Sequence, residues 1–159
     1  MHQRLLNIYL NDHLAGATAG MELARRCRSN NRGTSLGDFL TELTTEIDSD
    51  RRRLEALMSA LGAPLDRFKL YGAWVAEKVG RLKLNGQIKG YSPLSRLIEL
   101  EGLRLGIEAK RSLWQTLKEI ENIDSRLATT DLDLLIKRAE EQLDAIEPHR
   151  TQAARAAFA

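Results

Sequence analysis

Aromatic residues are scarce in this chain, at 5%, and proline occurs only three times in 159 residues. A β-sandwich or barrel would need aromatic and β-branched runs broken by frequent turns, so a helical protein is expected instead. Cysteine is almost absent as well. The single Cys27 has no partner for an internal disulfide, which fits a reducing cytoplasm. No run of about 18 apolar residues exists, so a membrane span is not expected. No charged-then-apolar leader opens the sequence, and secretion by a standard signal is not expected either. Lys and Arg number 24 against 22 Asp and Glu, a formal charge of +2, so net charge alone points to no nucleic-acid partner. Gly-rich phosphate loops, Ser/His/Asp triads and Cys-x-x-Cys pairs are all missing.

What remains is an ordinary soluble mixture, 43% apolar and 29% charged, with strong helical periodicity. Five helices are predicted in a single domain covering 1–159. The first covers about 3–30, with a stripe of Leu5, Ile8, Tyr9, Gly16, Ala19, Leu23 and Cys27, and Gly33 ends it. The second, about 36–61, starts at a capping-box-like Ser35 and Asp38. Its stripe is Leu36, Phe39, Leu40, Leu43, Ile47, Leu54, Leu57, Met58 and Leu61, and Gly62-Ala-Pro64 breaks it. The third, about 65–84, carries Phe68, Tyr71, Val75, Val79 and Leu82 on one face, with Leu70 and Trp74 on another. The fourth runs from Ser92, a cap, and Pro93, at the first helical position, to Glu121. It has two stripes: Leu94, Leu97, Ile98 and Leu105, then Leu100, Leu103, Ile107, Trp114 and Leu117. Such a helix is covered on two sides. The fifth, 131–147, starts at Thr130 and Asp133, covers the second of those stripes, and stops at Pro148 with a fraying tail over 148–159. The fold class is all-α: an up-down-up-down bundle over 3–121 with an added C-terminal helix.

Four carboxylates fall on apolar stripes: Asp12, Asp50, Glu101 and Glu108. A buried bare carboxylate is very costly, so each requires a cation, a donor, a metal or a proton. At ~1.5 Å per helical residue, Asp12 lies ~28 Å from the end where the first two helices meet, and Asp50 and Glu108 ~21–23 Å from it. A lower cluster of Asp12, Asp50, Glu108 and Tyr71 is expected, with an upper ion pair of Glu101 and Lys78. The plainer reading of both is a non-catalytic, satisfied polar network with Tyr71, Lys78 and water as donors. The alternative is one metal on Asp12, Asp50 and Glu108, with His13 beside them; hard oxygen ligands suit manganese or iron(II).

This helix order and acid placement over about 3–121 resemble the ferritin-like four-helix bundles. That resemblance implies mid-bundle carboxylates around two iron or manganese ions, with oxidoreductase or metal-storage activity. The chain departs from the family in having no Glu-x-x-His; the second helix offers Glu46 and Asp50 four residues apart. The run LKLNGQIKGYSPLSRLIELEGLRLGIEAKRSLW also resembles a group of uncharacterised actinobacterial proteins, which implies no activity.

A basic pole is the other signal. Arg25, Arg26, Arg28 and Arg32 end the first helix, and Lys78, Arg81, Lys83, Lys89 and Arg96 surround the loop before the fourth. Arg25, Arg28, Arg81, Lys83 and Lys89 are candidate contacts for an anion or an acidic partner, though cations also favour helix C-termini for purely structural reasons. Aromatics for base stacking are nearly absent there, with only Tyr91. Cys27 lies on an apolar stripe and reads as a small core residue rather than a reactive thiol. The Leu70–Trp74 face and the last helix offer apolar surface for self-association.

Overall fold

The computed structural model describes residues 2–66 and 91–159. The helix predicted over about 65–84, and with it Tyr71, Lys78, Arg81, Lys83, Lys89, Leu70 and Trp74, therefore lies outside the described residues. Among the described residues there are four long α-helices and no strand: α1 (Gln3–Asn30), α2 (Ser35–Ala60), α3 (Pro93–Glu119) and α4 (Leu132–Phe158). Two short 3-10 turns, Glu121–Ile123 and Leu127–Thr129, join α3 to α4. No helix among them is long and apolar enough to cross a membrane.

Local chemistry sets the helix ends. α1 stops before Gly33 and α2 before Gly62, both at positive φ (75° and 65°), where glycine alone is unstrained. Thr34, one residue before the expected cap, starts α2: its extended backbone lets Oγ1 accept from Gly37 N–H at 3.1 Å. Gly37 must lack a side chain, because a Cβ there would collide with the Asn31 carbonyl. Ser92 caps α3 as expected, accepting from Ser95 N–H at 3.1 Å, with Pro93 just inside. Asp131, between the two residues predicted to start the last helix, caps α4 by accepting from Leu134 N–H at 3.0 Å.

The expected stop at Pro148 does not occur, and α4 continues through it to Phe158. Proline inside a helix costs about 3 kcal/mol through a lost hydrogen bond and a clash. Packing on both sides of it offsets that cost. Ile146 and Ala153 are buried, and His149 stacks on Phe39 of α2 with ring centroids 4.4 Å apart.

The helices pack antiparallel where they touch. Gln3 Nε2 donates to the Leu61 carbonyl at 3.3 Å, setting the start of α1 beside the end of α2. Arg26 meets Glu99 at 2.8 Å between α1 and α3, and Lys118 meets Asp133 at 2.8 Å between α3 and α4. α3 and α4 share the most extensive interface, and Leu100, Leu103, Ile107, Trp114 and Leu117 of the second stripe are all buried in clusters that include residues of α4 such as Leu135, Ala139 and Ile146. The other stripe is only partly inside: Leu97 is buried, while Leu94 and Leu105 are exposed.

α1 is rotated from its expected phase. Leu6, Leu10, Leu14, Met21, Ala24 and Cys27 are buried, whereas Leu5 is 63% and Ile8 43% exposed. The sequence carries two apolar edges on this helix, one residue (about 100°) apart. The edge with leucines spaced by four is the one that meets Leu54, Leu57 and Trp114. Leu10→Ala is therefore expected to lower the unfolding free energy by about 2–5 kcal/mol in urea titration. Leu5→Ala should change it by less than about 0.5 kcal/mol, as for any exposed site. A larger effect at Leu5 than at Leu10 would reverse the phase of α1.

Candidate functional site: a buried carboxylate held by two cations

Asp50 lies on the inner face of α2 between Leu43 and Leu54 and is only 2% exposed, as the sequence requires of an acid on that stripe. Its partners come from the two helices opposite. Lys110 Nζ of α3 donates to Oδ2 at 2.6 Å, and Arg138 Nη1 of α4 donates to Oδ1 at 3.0 Å. Gln142 completes the group: its Oε1 accepts from Lys110 Nζ, and its Nε2 donates to Glu46 Oε2 at 2.8 Å. Burial pushes the Lys110 ammonium below the ordinary lysine range, and the Asp50 carboxylate opposes that shift.

The other acids expected inside are not there. Asp12 is exposed, a consequence of the rotated phase of α1, and its neighbour His13 is half-buried with its ring edge-on to Tyr9 at 4.5 Å. Glu108 is half-exposed and bound to Arg111 at 2.6 Å on its own helix. Glu101 is exposed, 3.7 Å from Arg150. Both belong to the α3 face that stays partly wet, so among the described residues Asp12 and Glu108 do not join Asp50 in the buried interior. Among the described residues no group of three or more His, Cys, Asp or Glu is gathered as a metal would require. A cation at Asp50 would also face Lys110 and Arg138 on the carboxylate oxygens it needs, so the residues present do not fit iron or manganese.

Lys110 and Gln142 escaped the sequence reading for a simple reason. Each is a polar residue on an apolar stripe, Lys110 between Ile107 and Trp114, and Gln142 between Ala139 and Ile146. The same test that found Asp50 finds both once it is applied to cations and amides as well as acids.

A second buried carboxylate was also missed. Glu99 accepts from Arg26 Nε at 2.8 Å and from Tyr91 Oη at 3.0 Å. Asn31 Nδ2 donates to Tyr91 Oη at 2.9 Å and to the Cys27 carbonyl at 2.7 Å. Cys27 sits fully buried beside this group, and burial together with the Glu99 charge pushes its thiol up to about 12. It is a core residue, as expected. Part of the basic pole is thereby engaged: Arg26 holds Glu99, Arg25 holds Glu22 at 2.8 Å, and Arg96 lies over the Tyr91 ring at 5.5 Å.

Two pH-linked expectations follow from these environments. Folded Cys27 should resist an aromatic disulfide reagent at about pH 8 and react at once in denaturant; its thiolate is scarce in the fold. Because the folded value is raised above the ordinary 9.0, the stability it contributes is complete below 9.0 and lost as pH climbs towards 12. Cys27→Ala should flatten that alkaline decline. His13 and His149 behave oppositely: burial lowers both below 6.5, so the unfolded chain binds the extra protons and stability falls as pH drops below 6.5. His149→Gln should reduce the acid-side slope in pH-dependent urea melts, and an unchanged slope would remove His149 from the account. No family model, curated protein or solved structure matches the chain, so its function is read from the geometry of Asp50 and its neighbours.

Proposed function

We propose that this chain is a non-catalytic helical bundle whose inner carboxylate is a structural fastener and not a reaction centre. The observation that carries this reading is that both oxygens of Asp50 already accept from cations, Lys110 on α3 and Arg138 on α4. A general base needs a free lone pair and reach to a substrate, and a metal ligand needs companions of like charge. Asp50 has neither. In this reading Asp50 is the one of the four carboxylates expected inside that is buried, and two cations occupy the oxygens that the metal of the ferritin-like alternative would need.

Breaking the group on one side should be costly, because it strands buried charge. Asp50→Ala is expected to destabilise the fold by about 3–5 kcal/mol. Replacing the pair together, Asp50→Leu with Lys110→Met, should recover most of that loss, since apolar isosteres of a buried ion pair are often neutral. Metal analysis of protein purified without chelator separates this from the metalloprotein alternative. Iron or manganese well below one equivalent is expected, unchanged in Asp50→Ala. A full equivalent that disappears in Asp50→Ala would overturn the fastener reading.

A further inference from the structure

Three helices converge at the pole where α1 finishes and α3 begins. Asn31, just past α1, bonds Tyr91, just before α3, at 2.9 Å. α4 arrives there too, because it runs on through Pro148: Ala153 is buried in one cluster with Ala24 and Cys27 of α1 and Leu97 of α3. The unbroken helix therefore carries Arg155 and Phe158 to the same pole as the end of α1.

Charge at this pole is not closed within the fold. Glu22, Glu99, Glu101 and Glu147 are each held by an arginine. Among the described residues Arg28, Arg32 and Arg155 form no ion pair, and Arg32 and Arg155 are exposed. Their place in or beside the last turns of α1 and α4 accounts for part of their presence, since a cation there gains about 0.3–1 kcal/mol from the helix dipole. That attraction does not use their donors. Each guanidinium keeps a planar fork of N–H groups, which fits a carboxylate as a bidentate pair.

An apolar strip separates the arginines of α1 from that of α4. Glu101 of α3 faces Arg150 of α4, and Arg104 faces Glu147. Two turns further in the same antiparallel register, Leu94 stands level with Ala157 and beside Phe158. Leu94 is 45% exposed and Phe158 76%. α3 packs against both α1 and α4, so the order across the pole is Arg28 and Arg32, then Leu94, then Phe158 and Arg155. The acids of this pole that lack an ion pair among the described residues, Asp38 and Glu42, are both on α2, diagonally across from α3. A flat anionic surface would meet those two acids together with the arginines, and a free phosphate would gain nothing from Leu94 and Phe158. A peptide that crosses from α1 over α3 to α4 meets the cations and the apolar strip and avoids both acids.

We propose that this pole docks an acidic segment of a partner protein, whose carboxylates take Arg28, Arg32 and Arg155 while an apolar side chain between them covers Leu94 and Phe158. The surface goes beyond the fastener reading and does not depend on it, because none of these residues belongs to the Asp50 group.

The probe is a short fluorescein-labelled peptide of Asp and Glu with Leu-Phe at its centre, titrated with the full chain at about 0.15 M salt and followed by anisotropy. A second peptide has Ser-Ser at its centre. The Leu-Phe peptide should bind saturably and more weakly as salt rises. Arg28→Glu with Arg32→Glu should weaken it by about tenfold or more, and so should Arg155→Glu, each confirmed helical by circular dichroism. Phe158→Ser should weaken the Leu-Phe peptide and leave the Ser-Ser peptide unchanged. Arg4→Glu with Arg53→Glu, at exposed arginines towards the opposite pole, is the charge control and should leave affinity within about twofold. Absence of saturable binding would sink the proposal, as would a loss in the control equal to that at the pole. Tighter binding to phosphatidylserine vesicles than to the peptide, with the same dependence on Arg155, would replace the peptide by a membrane surface and likewise refute it.

Discussion

The bond between Asp50 and Lys110 is the constraint on which the rest of the interior depends. A carboxylate with 2% exposure cannot stay ionised without a cation, and the cations that reach it stand on two other helices. α2, α3 and α4 are therefore fixed at one common height. The apolar side chains fall on either side of that height. Along α2 the upper cluster ends at Leu43 and the lower begins at Leu54; along α3 the same break lies between Ile107 and Leu113. Leucine-rich layers tolerate sliding, because one leucine replaces another at similar area. A charged layer does not, because a shift of one turn would leave Asp50, Lys110 and Gln142 facing apolar neighbours. The pair adds little net stability over a hydrophobic substitute. Its effect is to make the misaligned packings expensive.

Glu99 repeats the arrangement at the other end of α3. It too is buried, and it too is met by a cation from a different helix, Arg26 of α1, with Tyr91 as a second donor. The two buried acids among the described residues thus tie α3 to all three of its companions: α2 and α4 through the Asp50 group, α1 through Glu99. The long α3 with two apolar sides is the element the sequence most clearly organises, and ion pairs at two levels hold its neighbours in place. The same compensation leaves each inner carboxylate among the described residues already committed to a donor.

Periodicity made α2 and the second stripe of α3 legible almost residue by residue, because each presents one dominant apolar edge. α1 was not legible in phase, since Leu5, Ile8 and Tyr9 compete with Leu6, Leu10 and Leu14. The one-residue choice between them moved Asp12 from the interior to the surface. Glu101 and Glu108 were misplaced for a related reason: the α3 face that carries them includes Leu94 and Leu105, apolar residues that remain exposed. Apolar spacing marks a face that can be buried, and whether it is buried depends on which helices are available to cover it. The end of α4 was hidden for another reason. A proline rule is local, and the contacts that carry the helix past Pro148, such as His149 on Phe39, come from residues more than a hundred positions away.

An open groove of about 310 Å³ between α1, α2 and α3 lies beside the same layer. α2, α3 and α4 each bring a long polar side chain to the level of Asp50, and those chains fill their corner of the bundle with hydrogen bonds. α1 brings Gly16, Ala17 and Gly20 to its side of that level, residues too short to reach across. α3 faces them with Gly106 and Ala109. Small residues leave the ion pair its geometry, and with Gly16, Gly106 and Ala109 exposed the level of Asp50 opens to solvent on the α1 side.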